Sequence, residues 1–466
     1  ILAGFKRAFF YKTLYAICFY SIFIKIKKMK INENLELPCG VKIKNRFLKS
    51  AMTEGLANSD AVANKKHANL YDRWAKGGTG ISVTGNVQVD HRYIERAGNV
   101  IIEGDQSNES LASLADWSKA GTQNNTQLWM QLSHAGRQTP YSINKKSVAP
   151  SVKPMPTLGG VLKFGVPEEL SHSQILDIID RFINAAEIAK QTGFTGVQLH
   201  SAHGYLLSEF LSPNINNRTD QWGGSIENRS RLLISIIDGI RAKVGNSYPI
   251  SIKLNSSDFQ KGGFTHEESI EVAKLLNSTS LDLLEISGGT YENFAALEID
   301  SFNLKKMKTI KPQRSTVVRE AYFLKYAEEI KKFLSIPLAV TGGFRTADGM
   351  NSALNSGACD VIGLGRPLCS EPEIVNELIS GERKSATLYE NILQFGPWIF
   401  GLNSPIALMR SNNKAAQVYW CYRQILKMAN GEEVNNKLSL TKALFDHFRE
   451  DSANSKKYQK YWRDLN

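Results

Sequence analysis

Cysteine is scarce in this chain of 466 residues: Cys18, Cys39, Cys359, Cys369 and Cys421 are all there is. None lies in a Cys-x-x-Cys pair or a Cys/His cluster, which argues against a zinc site, an iron–sulfur cluster or a disulfide framework. A reducing, cytoplasmic compartment is expected. Long apolar runs are missing as well. The segment Thr13 to Ile24 holds about 12 residues, short of the roughly 20 that cross a bilayer, and no small-x-small cleavage site follows it. Acidic residues are absent from residues 1–30, which carry seven Lys or Arg. Residues 386–466 add eleven basic and seven acidic side chains. Of the net charge of +12, residues 31–385 therefore carry only +1. With no basic stripe interleaved with aromatics, a nucleic-acid partner is not expected. The chain begins at Ile1, and Met29 stands just before the sequence turns globular in character. Residues 1–29 are set apart as a basic, apolar extension, and translation upstream of a natural start at Met29 is preferred over a membrane anchor.

From residue 30 to 385, short apolar runs alternate with longer amphipathic stretches, the pattern of βα units. Candidate strands are Phe47–Met52, Gly80–Asn86, Thr126–Leu132, Gly196–His200, Ile250–Asn255, Leu281–Ser287, Pro337–Thr341 and Asp360–Leu364. Ile175 to Thr192 repeats apolar residues at helical spacing. Eight such units predict an α/β (β/α)8 TIM barrel. The stretches Thr139 to Glu169 and Tyr291 to Val318 break the rhythm and are expected to be loops at the barrel mouth. Residues 386–466 form a C-terminal helical extension, with helices over Lys414–Met428 and Leu438–Phe448 packed on the outside of the barrel or in an oligomer interface. No chemistry is readable in it.

The densest chemistry stands in Gln198-Leu199-His200-Ser201-Ala202-His203-Gly204-Tyr205. Two imidazoles and a phenol follow a buried strand, where (β/α) barrels build their active sites. A satisfied core would account for one histidine, but poorly for this group. The seventh strand ends in Thr341-Gly342-Gly343-Phe344-Arg345 and the eighth in Gly363-Leu364-Gly365-Arg366. Each glycine pair alone is a common turn. Together at these two strands they suit a phosphate, whose charge Arg366 would neutralise, with a helix N-terminus adding its dipole. Thr53, Gly85, Gln131, His134 and Lys253 stand at or near other strand ends. The Gln131 amide offers donor and acceptor together, which suits the edge of a flavin's pyrimidine ring. Lys253 inside a strand calls for an anion, either a bound group or a structural ion pair.

Asn45-Arg46-Phe47 with Ala51-Met52-Thr53, Gln131-Leu132-Ser133-His134-Ala135-Gly136-Arg137, His200-Ser201-Ala202-His203-Gly204-Tyr205, and Arg218-Thr219-Asp220-Gln221-Trp222-Gly223-Gly224-Ser225 resemble, in collinear order, the Old Yellow Enzyme family. The resemblance runs from about Leu35 to Ile379. It implies an FMN-bearing barrel reduced by NADH or NADPH that reduces the activated C=C bonds of α,β-unsaturated carbonyl compounds. By the same resemblance, Ala51, Met52 and Thr53 would meet the flavin, Thr53 at its O4 edge, with Gln131 at the pyrimidine and Gly85 against the ring. Lys253 would lie near N1 and O2, with Gly342, Gly343, Gly365 and Arg366 around the phosphate. His200 and His203 would hold the carbonyl oxygen and Tyr205 would donate the proton. A phenol of ordinary pKa near 10 keeps its proton at neutral pH.

Three departures stand out. The family usually has Arg at the place of Lys253, which keeps the charge and loses the forked geometry. Glu54 and Gly55 follow Thr53, with no tyrosine there. The cysteine cluster and dinucleotide domain of the larger relatives are not matched after Ser385. The alternative function is a non-redox lyase or isomerase on a phosphorylated substrate; a flavin-storing protein whose catalysis has decayed is a third. A homo-oligomer is compatible with the sequence; a membrane is not expected.

Overall fold

The computed structural model describes residues 30–157, 162–289, 321 and 323–465. The N-terminal extension and the expected loop Tyr291 to Val318 lie outside them. Eight parallel strands close a barrel: β1 (Phe47–Lys49), β2 (Ile81–Gln88), β3 (Gln127–Ser133), β4 (Gly196–Ser201), β5 (Ile250–Asn255), β6 (Leu283–Ser287), β7 (Leu338–Thr341) and β8 (Val361–Leu364). Each pairs with its neighbours in sequence order, and β8 pairs with β1. Every residue of β1, β2, β4, β5, β6 and β8 is buried. That is why these strands read as apolar runs without alternation: both faces are covered. All eight sequence expectations coincide with these strands to within three residues at either end.

Helices follow each strand: α1 (Lys65–Lys76), α2 (Asn108–Gly121), α3 (His172–Gln191), α4 (Ile226–Val244), α5 (His266–Asn277), α6 (Leu324–Lys331), α7 (Ala347–Asn355) and α8 (Ile374–Ser380). Their starts are written locally. Ser171 accepts from the Gln174 amide while the Gln174 side chain returns to the Ser171 N–H, a capping box. Thr265 and Glu268 repeat it at α5. The end of the barrel opposite the site is closed by Leu37 and Ile43, packed under Leu48, Ile81, Val83, Trp129 and Val361. The expected loop Thr139 to Glu169 contains a short parallel pair, Lys146–Ala149 with Val166–Glu169.

Two helices follow the barrel, α9 (Ala407–Ala429) and α10 (Leu440–Leu465). The second is far longer than its apolar stripe suggested. Trp420, fully buried, packs with Ala416, Leu440 and Ala443 and donates its indole N–H to the Leu438 carbonyl at 2.9 Å. α9 lies against α1 and the single turn Pro367–Ser370. α10 returns to the β2 side of the barrel, where Asp451 pairs with Arg96 at 2.9 Å and the Tyr458 hydroxyl donates to the His91 carbonyl at 2.8 Å. Among the described residues no helix is long and apolar enough to cross a membrane.

Candidate active site

A cavity of ≈ 460 Å³ opens at the C-terminal ends of the strands, and all eight strands or the residues just after them contribute to its wall. Of the residues singled out from sequence, Ala51, Met52, Thr53, Gln131, His200, His203, Tyr205, Lys253, Gly342, Gly343, Gly365 and Arg366 line it. Gly85 does not. The β2–β3 register slips between Val83 and Asn86, a bulge that turns Asn86 rather than Gly85 into the cavity. The Gly85 N–H instead meets the Glu54 carboxylate at 3.0 Å and the Tyr71 hydroxyl at 3.1 Å. A Cβ there would press on Glu54 and the Met52 carbonyl.

The histidines sit in a directional chain of hydrogen bonds. A carboxylate cannot donate, so Glu95 fixes which way the Asn86 amide points: Nδ2 donates to Glu95 Oε2 at 2.5 Å. Asn86 Oδ1 then faces His200 Nδ1 at 2.7 Å and must accept from it. Burial, then His203 and Lys253, hold His200 well below the usual imidazole range, so it is neutral and its Nε2 is a lone pair. That lone pair accepts from His203 Nδ1 at 3.1 Å. His203 Nε2, in turn, accepts from the Ser287 hydroxyl at 2.9 Å. Burial, with a smaller contribution from Lys253, pushes His203 down to about 3. Both imidazole N–H groups are thus taken up by side chains of the protein itself. His203 also holds φ at +61°, a conformation uncommon outside glycine, although asparagine, aspartate and histidine adopt it more often than other residues. Its neighbours keep it there: its N–H bonds Asn255 Oδ1 at 3.2 Å and its carbonyl accepts from Gln138 at 2.9 Å. The Tyr205 ring stands 4.6 Å from that of His200, tilted by 56°, and is buried.

A second polar group lies beside the first, on the flanking strands. Gln131 donates to Gln198 at 2.8 Å, and Gln198 to Glu285 at 2.9 Å. Glu285 pairs with Lys253 at 2.9 Å and accepts from Ser50 at 2.7 Å and Thr341 at 2.6 Å. Burial alone would raise the Glu285 carboxyl; Lys253 and the two hydroxyls outweigh it and hold it below the usual range. Lys253 therefore has the structural ion-pair partner that one reading of the sequence called for, and it also lines the cavity. Ser50, Asn86, Glu95, Glu285 and Ser287 went unremarked in the sequence because single Ser, Asn or Glu residues near strand ends carry no pattern. His134, fully buried with its pKa pushed down by burial to about 4, lies outside the cavity wall.

At the far end Gly342 and Gly343 hold φ of +138° and +87°. A Cβ on Gly365 would meet nothing nearer than Met52 Sδ at 3.9 Å. The expected helix-dipole contribution is small, because the helix after Gly365 and Arg366 is the four-residue turn Pro367–Ser370. Glu390, from the start of the C-terminal extension, pairs with Arg345 and stands 3.8 Å from Arg366. Val418, Cys421, Tyr422 and Ile425 of α9 complete the wall. The extension is therefore part of the cavity, not merely an outer layer. Spacing by three, four and seven residues is also that of any core-facing helix, so no sequence signal separated this stripe from ordinary packing.

The model of the NADH:flavin oxidoreductase / NADH oxidase family matches residues 37–385. The NADH-dependent flavin oxidoreductase iliE of Hypocrea jecorina (strain QM6a) is 34% identical over 384 residues, covering 78% of this chain and 93% of that protein. Among solved structures, a 2-naphthoyl-CoA reductase in complex with 2-naphthoyl-CoA superposes with a TM-score of 0.66 at 26% identity over 76% of this chain and 52% of its own. The Old Yellow Enzyme homologue from Zymomonas mobilis does so with a TM-score of 0.63 at 23% identity, over 81% of this chain and all of its own.

Proposed function

Since the chain belongs to the NADH:flavin oxidoreductase / NADH oxidase family, we propose that it reduces the activated C=C bond of an α,β-unsaturated carbonyl compound, with FMN as cofactor and NADH or NADPH as reductant. The donor set fits FMN. Gln131 keeps an N–H and its carbonyl oxygen for the pyrimidine edge, Lys253 adds a cation beside it, and Thr53 and Met52 line the same cavity. Gly342, Gly343 and Gly365 leave the space in which a phosphate would meet backbone N–H groups, next to Arg366. When bound, FMN supplies the hydride that nicotinamide delivered to it.

The chain's own residues supply the rest. A substrate oxygen that displaces His200 from His203 receives the Nδ1–H of His203. His200, held by Asn86, presents a lone pair and would need a proton to become a second donor, which burial opposes. The grip on the carbonyl is thus one strong donor, supported by a neutral, fixed neighbour. Tyr205 would protonate the carbon next to the carbonyl, a role supported by its position beside His200 and its burial away from bulk water. Losing one preorganised donor in such a site costs roughly 2.7–4 kcal/mol of transition-state stabilisation. The four described cysteines are unbridged, which supports a reducing, cytoplasmic setting.

The observation that carries this reading is the convergence of Tyr205 and His203 on the cavity that Gln131 and Lys253 also line. Anaerobic reduction of the FMN-reconstituted protein by each nicotinamide, then reoxidation by a panel of enones, tests it. Rapid bleaching by NADH or NADPH and recovery of colour on adding an enone are expected. Protein that binds no flavin, or that enones leave reduced, would overturn it.

A further inference from the structure

Two of the scarce cysteines meet where the extension crosses the barrel. Cys369 lies on the turn Pro367–Ser370 just after β8, and Cys421 on α9. Both line the cavity, each thiol shifts the other's titration, and the Cys369 thiol donates to Met52 Sδ at 3.4 Å. The elements that carry them are packed together. Cys369 is almost wholly buried from bulk solvent, so the cavity is the route by which a small oxidant reaches the pair. We propose that Cys369 and Cys421 are a reversible dithiol–disulfide site that staples α9 across the cavity mouth, with hydrogen peroxide as the oxidant.

The chemistry divides between the two sulfurs. The neighbouring Cys369 side chain, then the positive charges of Arg366 and Arg345, hold the Cys421 thiol below its usual range despite burial and Glu390. Cys421 therefore supplies the attacking thiolate. Its sulfur takes one peroxide oxygen, with that oxygen's hydrogen, as a sulfenic hydroxyl; the O–O bond breaks, and the other oxygen keeps its own hydrogen, takes up the thiol proton and leaves as water. The Cys369 sulfur then displaces the oxygen from the resulting sulfenic acid as a second water. Two thiols and one peroxide give one disulfide and two waters, with the two sulfurs oxidised by two electrons in total. The bond would close a loop of about fifty residues that contains the start of the extension, and a cross-link of that span restricts opening strongly. Peroxide arises wherever dioxygen accepts the reducing equivalents in place of substrate, so the staple would respond to turnover without substrate.

The test treats the full FMN-loaded protein with hydrogen peroxide, alkylates the remaining thiols and maps the peptides. A cross-linked pair carrying Cys369 and Cys421, lost on adding dithiothreitol and absent from Cys421→Ser, is expected. Flavin release on dilution should slow at least about tenfold in the oxidised protein and return on reduction. The inference fails if both thiols stay fully alkylatable after peroxide, or if the bond forms and release is unchanged. Because peroxide is added and release is read by flavin fluorescence, neither failure depends on whether enones are the substrates.

Discussion

The cavity has two walls of opposite character. At the end of β4 the wall is polar: Ser287, His203, His200, Asn86 and Glu95 hand hydrogen bonds in one direction to a carboxylate. Across from it, α9 offers Val418, Cys421, Tyr422 and Ile425. The polar wall can place a proton donor and fix a tautomer. The helical wall can close, shield and respond to oxidation. Within one cavity, chemistry and access are thus assigned to different parts of the chain, and damage to each should read out differently.

The sharpest separation is Tyr205→Phe. Enone reduction should slow by about 10²–10⁴-fold, the range of a lost general acid, while flavin reduction by the nicotinamide and flavin retention stay as they were. Equal slowing of both half-reactions in stopped-flow traces would remove Tyr205 from the proton path. On the other wall, Trp420→Ala empties a fully buried site between α9 and α10 and should cost about 3–5 kcal/mol. That loss should fall on the extension first, giving earlier flavin release in denaturant than loss of barrel helicity. A single coincident transition would mean that the two walls are not energetically separable.

Asn86→Ala tests the relay itself. It strands the His200 Nδ1–H in a buried setting, costing about 1–3 kcal/mol, or roughly 5- to 150-fold in kcat/KM for the enone. A ¹⁵N spectrum of the wild type should show His200 as the neutral Nδ1–H form; a neutral Nε2–H form would refute the direction of the chain. The response to acid is the most gradual effect, spread over several pH units. His67 and His203 are pushed down to about 3 and His134 to about 4, mainly by burial, and His200 is lowered as well. Their folded pKa values lie below the unfolded value near 6.5, so the unfolded chain binds more protons between those limits. Stability should therefore fall as pH drops below about 6.5, by up to roughly 1.4 kcal/mol per pH unit for each such histidine, and level off only below about 3. His203→Asn should reduce that slope; an unchanged slope would mean His203 is not buried neutral.

Much of the barrel was legible because parallel strands buried on both faces leave uninterrupted apolar runs, and glycines with following basic residues mark the last two. That His200, His203 and Tyr205 share one cavity was legible because they crowd into one strand end. Gly85 stands outside the cavity lining because of a one-residue slip in β2 that leaves no mark in the sequence and presents Asn86 there instead. Glu95 and Glu285 were invisible for a different reason. Glu95 meets Asn86 and Thr53 through the loop after β2, whereas Glu285 meets Lys253 by the pairing of β6 with β5 and Ser50 by closure of the barrel. The α9 wall was hidden because a helix stripe that lines a cavity has the same period as one that fills a core.

The central claim is that one cavity delivers hydride from one side and a Tyr205 proton from the other. Its most direct test is the position of label in a reduced cyclic enone. With nicotinamide deuterated at the transferred position and ordinary water, deuterium is predicted at Cβ alone; with ordinary nicotinamide in D2O, it is predicted at Cα alone, on the opposite face. Solvent deuterium at Cβ, or both additions on the same face, would contradict the account.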